Sequence, residues 1–232
     1  MYYKLSTNVN LNVIESEMGV RFRFPDLYDA VPIIDGLNEE LLPIITSENP
    51  EHIDFGIWGI LPQNFKENWA DFQNIRNTLN LDIRTIDSNS DYKEALEKRR
   101  CVVVVSGLFA SFNFRGQIYP VYIFPKKSKT FSLAAIYNVT HDDFITFTVL
   151  LEKSNFEVSK LHNISDSMPV ILDNNHKNIW LGEQYEDIIW GNNDSYEALG
   201  FSSHTIAKEF YKNNILYDSV LDPVIYKDLI NS

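Results

Sequence analysis

One cysteine, nine glycines and nine prolines stand among 232 residues, and the motifs that these residues usually build are missing. A lone Cys101 allows neither an internal disulfide framework nor a cysteine-rich zinc site. There is no Gly-rich phosphate loop, no HExxH, no CxxC and no GxSxG. Five histidines (His52, His141, His162, His176, His204) are scattered without metal-ligand spacing, so neither metal nor cofactor is expected. No apolar run reaches the 18 residues of a membrane-spanning helix. The opening MYYKLSTNVN has no apolar region and no small-residue cleavage site, so a secretory leader is not expected. Positive charge is also short. Lys and Arg number 20 against 32 Asp and Glu, a formal net charge of -12. That weakens nucleic-acid binding without excluding it, because a local basic patch can sit inside an acidic total. It also disfavours an anionic membrane surface. A soluble protein of a reducing compartment, the cytoplasm, is expected.

What is present argues for a packed core. Hydrophobic residues make up 44% of the chain and aromatics 13%, too many for a disordered segment. Repeats, low-complexity blocks and linker-like stretches are absent, so one domain over residues 1–232 is expected. Turn-forming side chains cluster at Ser47–Pro50, Asp87–Asp91, Lys126–Lys129 and Asn192–Ser195. Asp91–Arg100 (DYKEALEKRR) predicts a short helix with an Asp cap and three cations at its C-terminal pole. It runs into Cys101–Val105 (CVVVV), a β-branched block that predicts a buried strand. Further strands are predicted at Ile118–Phe124, Thr130–Tyr137 and Phe144–Leu151, with Pro120 placing the first at an edge or bulge. Helices are predicted near Phe156–Leu161, Gln184–Trp190 and Thr205–Tyr211. Strands bunched in the middle with helices around them give an α+β class. Three N-x-S/T triplets begin at Asn138, Asn163 and Asn193, which an Asn-rich chain produces by chance.

Several segments in fixed order carry more. Leu42–Pro50 (LPIITSENP) is followed by Trp58–Pro62 (WGILP), then Asn77–Asn80 (NTLN) and Arg99–Gly107 (RRCVVVVSG). His162–Leu172 (HNISDSMPVIL), Ser203–Ile206 (SHTI) and Asp222–Leu229 (DPVIYKDL) complete the series. Together they resemble the SOS response-associated peptidase (SRAP) family, in its Bacteroidetes-like branch, over almost the whole chain. The resemblance implies a central curved, mostly antiparallel, barrel-like sheet flanked by helices. It also implies a sensor of abasic sites in single-stranded DNA. Family members use a cysteine after the initiator Met, with its freed amine, to trap the ring-opened sugar aldehyde. A Glu, an Asn and a His assist, and arginines hold the flanking phosphates.

Residue by residue, this chain departs from that pattern. Tyr2 stands at the nucleophile position, and a phenol with an ordinary pKa near 10 is a far weaker nucleophile than a thiolate. A residue as large as Tyr2 is also expected to keep Met1 in place. The family's Glu falls on Ala110, within Gly107–Ser111 (GLFAS). Asn80 and His162 are retained, either as a surviving half-site or as hydrogen-bond fixtures of a buried pocket. The phosphate-binding arginines fall on Asp82 and Ser167, while a family acid falls on Arg84. Residues 82 and 84 would share one face of a strand. An anion where a phosphate should bind costs affinity through lost attraction and new repulsion. Trp58 reads as packing or as a base-stacking platform, Tyr2 as a pocket plug or as simple packing, and Cys101 as core. The expectation is a non-catalytic paralogue that has lost the covalent chemistry. Two alternatives stay open: residual abasic-site processing through the N-terminal amine with Asn80 and His162, and a module whose acidic surface meets a protein partner.

Overall fold

The computed structural model describes residues 2–88, 90–191, 193–212 and 218–230. In chain order its strands begin with β1 (Lys4–Ser6), β2 (Arg21–Phe22), β3 (Ile34–Asp35), β4 (Leu41–Thr46) and β5 (His52–Trp58). β6 (Asn80–Asp82), β7 (Arg100–Val105), β8 (Gly107–Phe114), β9 (Gln117–Pro125) and β10 (Phe131–Val139) follow. The last are β11 (Ile145–Lys153), β12 (Ser167–Pro169), β13 (Ile171–Leu172) and β14 (Phe201–Thr205). Around them lie α1 (Leu11–Met18), α2 (Trp69–Ile75), α3 (Ser90–Lys98) and α4 (Phe156–Leu161). The remaining helices are α5 (Asn174–Leu181), α6 (Glu186–Trp190), α7 (Ser195–Leu199) and α8 (Lys227–Ile230). Among the described residues no helix is long and apolar enough to cross a membrane.

The strands form two sheets. The smaller runs β14-β9-β8-β1-β3 and is antiparallel throughout. In the larger, β10 and β11 pair with each other, β10 with β7, β7 with β4 and β4 with β5, all antiparallel. Two parallel residue pairs between β5 and β11 close this circuit into a ring, which stops short of a true barrel. The expected α+β class, with a curved and mostly antiparallel core, is what the chain adopts.

The buried block at Cys101–Val105 explains how the layers stack. Cys101, Val103 and Val105 point into a core shared with Leu42, Trp58 and Phe147 inside the ring. Val102 and Val104 point the other way, onto Ile14, Leu96 and Trp180 from the covering helices. Side chains alternate along a strand, so a strand covered on both faces is apolar at every position. Cys101 is core, and burial pushes its thiol well above the ordinary range. Trp180 Nε1 donates to the Cys101 carbonyl at 2.8 Å, fastening α5 to this strand.

Local signals placed some elements well. α4 matches its predicted span because Asn155 caps it, its side chain accepting from the Val158 N–H at 2.8 Å. Other expectations are corrected. Thr205–Tyr211 is not a helix: β14 runs to Thr205, Ile206 is buried and bonds Pro120, and only a 3-10 turn follows at Lys208–Tyr211. Pairing to β9 overrides the local helix propensity. β9 is an interior strand rather than an edge, and Pro120 is tolerated one residue beyond the last β14 partner, Val121. The turn expected at Asp87–Asp91 is instead the junction of a 3-10 helix (Ile83–Ser88) and α3, with residue 89 outside the described residues. Asp91 lies inside α3 rather than at the position before it. Arg100 opens β7 rather than ending the helix, yet its guanidinium reaches back to the helix's final carbonyls. At Asn192–Ser195, residue 192 lies outside the described residues and Ser195 begins α7. Gly107 opens β8 where nothing larger fits: a Cβ there would lie 2.2 Å from the Tyr122 ring.

Candidate functional site

Tyr2, Asn80, Ala110 and His162 come from four separate parts of the chain, and the fold brings them together. β1 pairs with β8, which sets the residues before Lys4 beside the middle of β8. β6 pairs in parallel with β11, which brings Asn80 to the same end. Asn80 Nδ2 donates to the Tyr2 carbonyl at 2.6 Å. The Tyr2 ring packs on the His162 imidazole, with centroids 5.3 Å apart and planes at 47°. His162 Nδ1 lies 3.0 Å from the Ser111 nitrogen, whose N–H donates to it. Ser111 follows Ala110, so imidazole and Ala110 share one strand segment.

The site is closed. Tyr2 is 4% exposed, Ala110 1% and His162 6%. Burial pushes the Tyr2 phenol far above its ordinary value, and Tyr196 nearby raises it further. Burial lowers His162, with the Ser111 backbone opposing, so the ring is neutral at pH 7. His162 Nδ1 also lies 3.2 Å from the Ser111 carbonyl oxygen, so this ring nitrogen meets both a donor and an acceptor of one residue. Among the described residues, His162 Nε2 and Asn80 Oδ1 are buried without a hydrogen-bond partner. Two buried polar atoms without a partner therefore border the Tyr2 ring and backbone.

Asp82 and Arg84 do not lie on one strand. β6 ends at Asp82 and the chain turns into the 3-10 helix at Ile83. Asp82 Oδ1 accepts from the Arg84 N–H at 2.9 Å, and the carboxylate grips the Arg84 guanidinium through both oxygens. This grip holds Asp82 below the usual carboxylate range. Asp82 raises the Arg84 guanidinium, and Asp166 adds to the effect. The nearby cation is thus bound to a protein carboxylate. Ser167 opens β12 opposite Lys153, with Oγ 3.4 Å from Asp166 Oδ1. Of the two readings of Trp58, packing or a base-stacking platform, its surroundings fit packing. It is 0% exposed, and its Nε1 donates to the Leu79 carbonyl at 2.8 Å, so no face is open to a base.

The structure adds an acidic border that the sequence did not reveal. Tyr196, close enough to act on Tyr2, is itself raised by burial and then by Glu157 and Glu197. Glu152 on β11 is pushed up to about 7 by burial, with Glu197 adding to it. Glu152 and Glu157 lie about 40 residues before Tyr196 and Glu197, so no local signal could have grouped the two pairs. A carboxyl near 7 when folded and near 4.3 when unfolded binds more proton in the folded state between those values. Its penalty to stability therefore grows as pH rises through that window. Glu152→Gln is expected to raise stability by about 1–2 kcal/mol at pH 8 and to leave it unchanged at pH 4. Urea unfolding at the two pH values measures this, and an equal gain at both would remove burial of the charge as the cause.

Comparisons with known proteins bear on the family and the fold of the chain. The family model described as SOS response associated peptidase (SRAP) matches residues 10–208. The chain is 28% identical over 122 residues to the Abasic site processing protein YMR114C of Saccharomyces cerevisiae. That match covers 52% of this chain and 32% of the relative, so the chain spans about a third of the yeast protein's length. A crystal structure of a protein from Bacteroides thetaiotaomicron superimposes with a TM-score of 0.80 at 20% identity. It covers 96% of this chain and 100% of that one. A protein from Bordetella bronchiseptica gives 0.72 at 13% identity, covering 88% and 99%. At these identities the two solved structures speak for the fold alone. The family match spans well over half of the chain and includes Asn80, Ala110 and His162: this protein belongs to the SOS response associated peptidase family.

Proposed function

We propose that this chain is a non-covalent member of its family, keeping the fold that handles abasic-site DNA without the chemistry that cross-links to it. The observation that carries this reading is Tyr2. At the family's nucleophile position stands a buried phenol, held against His162 and raised far above its ordinary pKa. Buried Ala110 supplies no carboxylate where the family's acid would be. Asp82 and Ser167 supply no cation where phosphate would be held, and Arg84 is occupied by Asp82. Glu157 and Glu197 near Tyr196 add anionic character, in keeping with the net charge of -12. The name of the yeast relative supports abasic-site DNA as the family ligand, and the acidic site favours weak, non-covalent contact with it.

A second reading rests on His162 Nε2 and Asn80 Oδ1, which have no hydrogen-bond partner among the described residues. They could serve an α-amine that condenses with the sugar aldehyde to an imine, releasing water. One experiment separates the two. The protein is incubated with a single-stranded oligonucleotide bearing one abasic site, with and without borohydride, and run on a denaturing gel. No adduct in either lane is expected. An adduct only with borohydride would establish the imine reading, and a heat-stable adduct without reductant would overturn both.

A further inference from the structure

The loop between β9 and β10 joins the two sheets and carries Lys126, Lys127 and Lys129 within four residues. All three are exposed and line a cleft of about 760 Å³. Elsewhere much of the positive charge is neutralised by a carboxylate, as at Arg84, Arg99 and Lys160. In this loop the amine of Lys127 donates to the Ala198 carbonyl at 2.7 Å, while Lys126 and Lys129 have no ion pair among the described residues. The one carboxylate in the cleft lining, Glu17, is consumed by the loop backbone. It accepts from the Lys129 and Thr130 N–H groups at 2.8 and 2.7 Å, and also from the Thr130 hydroxyl. Glu17 therefore fixes the loop's shape while its oxygens are turned to backbone donors.

Aromatic rings also line the cleft. Phe124 stacks on Tyr122 with centroids 5.4 Å apart and planes at 25°, and His204 meets Phe124 at 5.5 Å. His204 is anchored by Nε2 on the Leu221 carbonyl at 2.7 Å, which locks that ring in place. Phe124 and His204 are only partly buried, so they keep surface toward the cleft. Unneutralised ammonium groups and rigid aromatic rings in one cleft suit a ligand that joins a phosphate to a flat ring. The volume lies in the range of pockets that hold small molecules. Lining residues of this cleft include none of Tyr2, Asn80, Ala110 and His162.

We propose that the cleft beneath the Lys126–Lys129 loop binds a nucleotide, with Lys126 and Lys129 on the phosphate and Phe124 and His204 against the base. Cations supply the attraction and stacking supplies preference for a base over phosphate alone. Two sources share this chemistry, a free mononucleotide and a terminal nucleotide of a single strand. The inference stands independently of the reading of Tyr2.

Calorimetric titration of the full chain with thymidine monophosphate, inorganic phosphate and a 5′-phosphorylated decathymidylate tests it. The nucleotide is expected to bind at least about tenfold more tightly than phosphate. The exposed double substitution Lys126→Ala/Lys129→Ala is expected to weaken it about tenfold or more, while Lys98→Ala leaves it unchanged. Phe124→Ala should weaken the nucleotide and spare phosphate. Decathymidylate binding about tenfold tighter than the nucleotide would assign the site to strand ends, and equal affinity would assign it to free nucleotides. Absent nucleotide and oligonucleotide binding, or binding indifferent to loss of both lysines, would overturn the proposal.

Discussion

Arg100→Ala is expected to lower the stability of the fold by about 3–5 kcal/mol, the combined cost of leaving buried carbonyls unpaired, about 1–3 kcal/mol each before relaxation, and of opening a cavity. Arg100 is 6% exposed and has no carboxylate partner among the described residues. Its guanidinium instead donates to four carbonyls: Leu96 and Glu97 at the end of α3, Trp180 in α5 and Gly182 beyond it. The Tyr185 ring lies 4.0 Å below it. Burial lowers the guanidinium's pKa, but from so high a value that the charge persists. Alanine would remove every one of these donors and leave the carbonyls facing an apolar hole. Arg100→Lys keeps the charge but lacks the planar fork, so it should recover less than half of the loss. The exposed Lys98→Ala, which breaks only an ion pair with Glu94, should cost under about 1 kcal/mol. Urea unfolding followed by tryptophan fluorescence reads all three. A loss below about 1 kcal/mol for Arg100→Ala would mean that those carbonyls are satisfied some other way.

Tyr2→Cys is expected to turn on covalent capture of abasic-site DNA, to at least about tenfold over the wild-type background. The phenol is both a poor nucleophile and a buried ring against His162, and the exchange removes both obstacles. A thiol near pKa 8.5 is a few per cent thiolate at pH 7, and a small second residue favours removal of the initiator Met. The freed amine would form an imine with the sugar aldehyde, losing water, and the thiol would add across that imine to close a ring. Asn80 Oδ1 and His162 Nε2 are already present as unpartnered polar atoms beside that position. Adding His162→Ala to Tyr2→Cys should slow adduct formation by about a hundredfold, the ordinary scale of acid–base assistance. The readout is a heat-stable band on a denaturing gel without borohydride. If folded Tyr2→Cys protein gives no band, Tyr2 is not the block, and the phosphate positions Asp82 and Ser167 become the cause to test.

How much of this was legible beforehand differs by element. α4 and the Cys101–Val105 strand were readable because each depends on its own residues, a capping Asn155 in one and unbroken β-branching in the other. The segment Thr205–Tyr211 misled because its fate is set by β9, about 80 residues earlier in the chain. Asp82 and Arg84 were rightly linked, but through the wrong geometry: a 3-10 turn, rather than a shared strand face, lets the guanidinium fold back. Trp58 had two readings until its burial and its bond to Leu79 left one.

Sequence alone determined the class of fold, the family and the identities at positions 2, 80, 82, 110, 162 and 167, since motif order and residue chemistry are properties of the linear chain. It also determined that Tyr2 cannot act as a thiolate. Tertiary structure alone decided that Tyr2 is buried against His162, that Glu152 titrates near neutrality, and that three loop lysines share a cleft with aromatic rings. The reason is physical. Burial, stacking and the neighbourhood of charges are sums over residues far apart in the chain, and only the packed sheets bring those residues within range of one another.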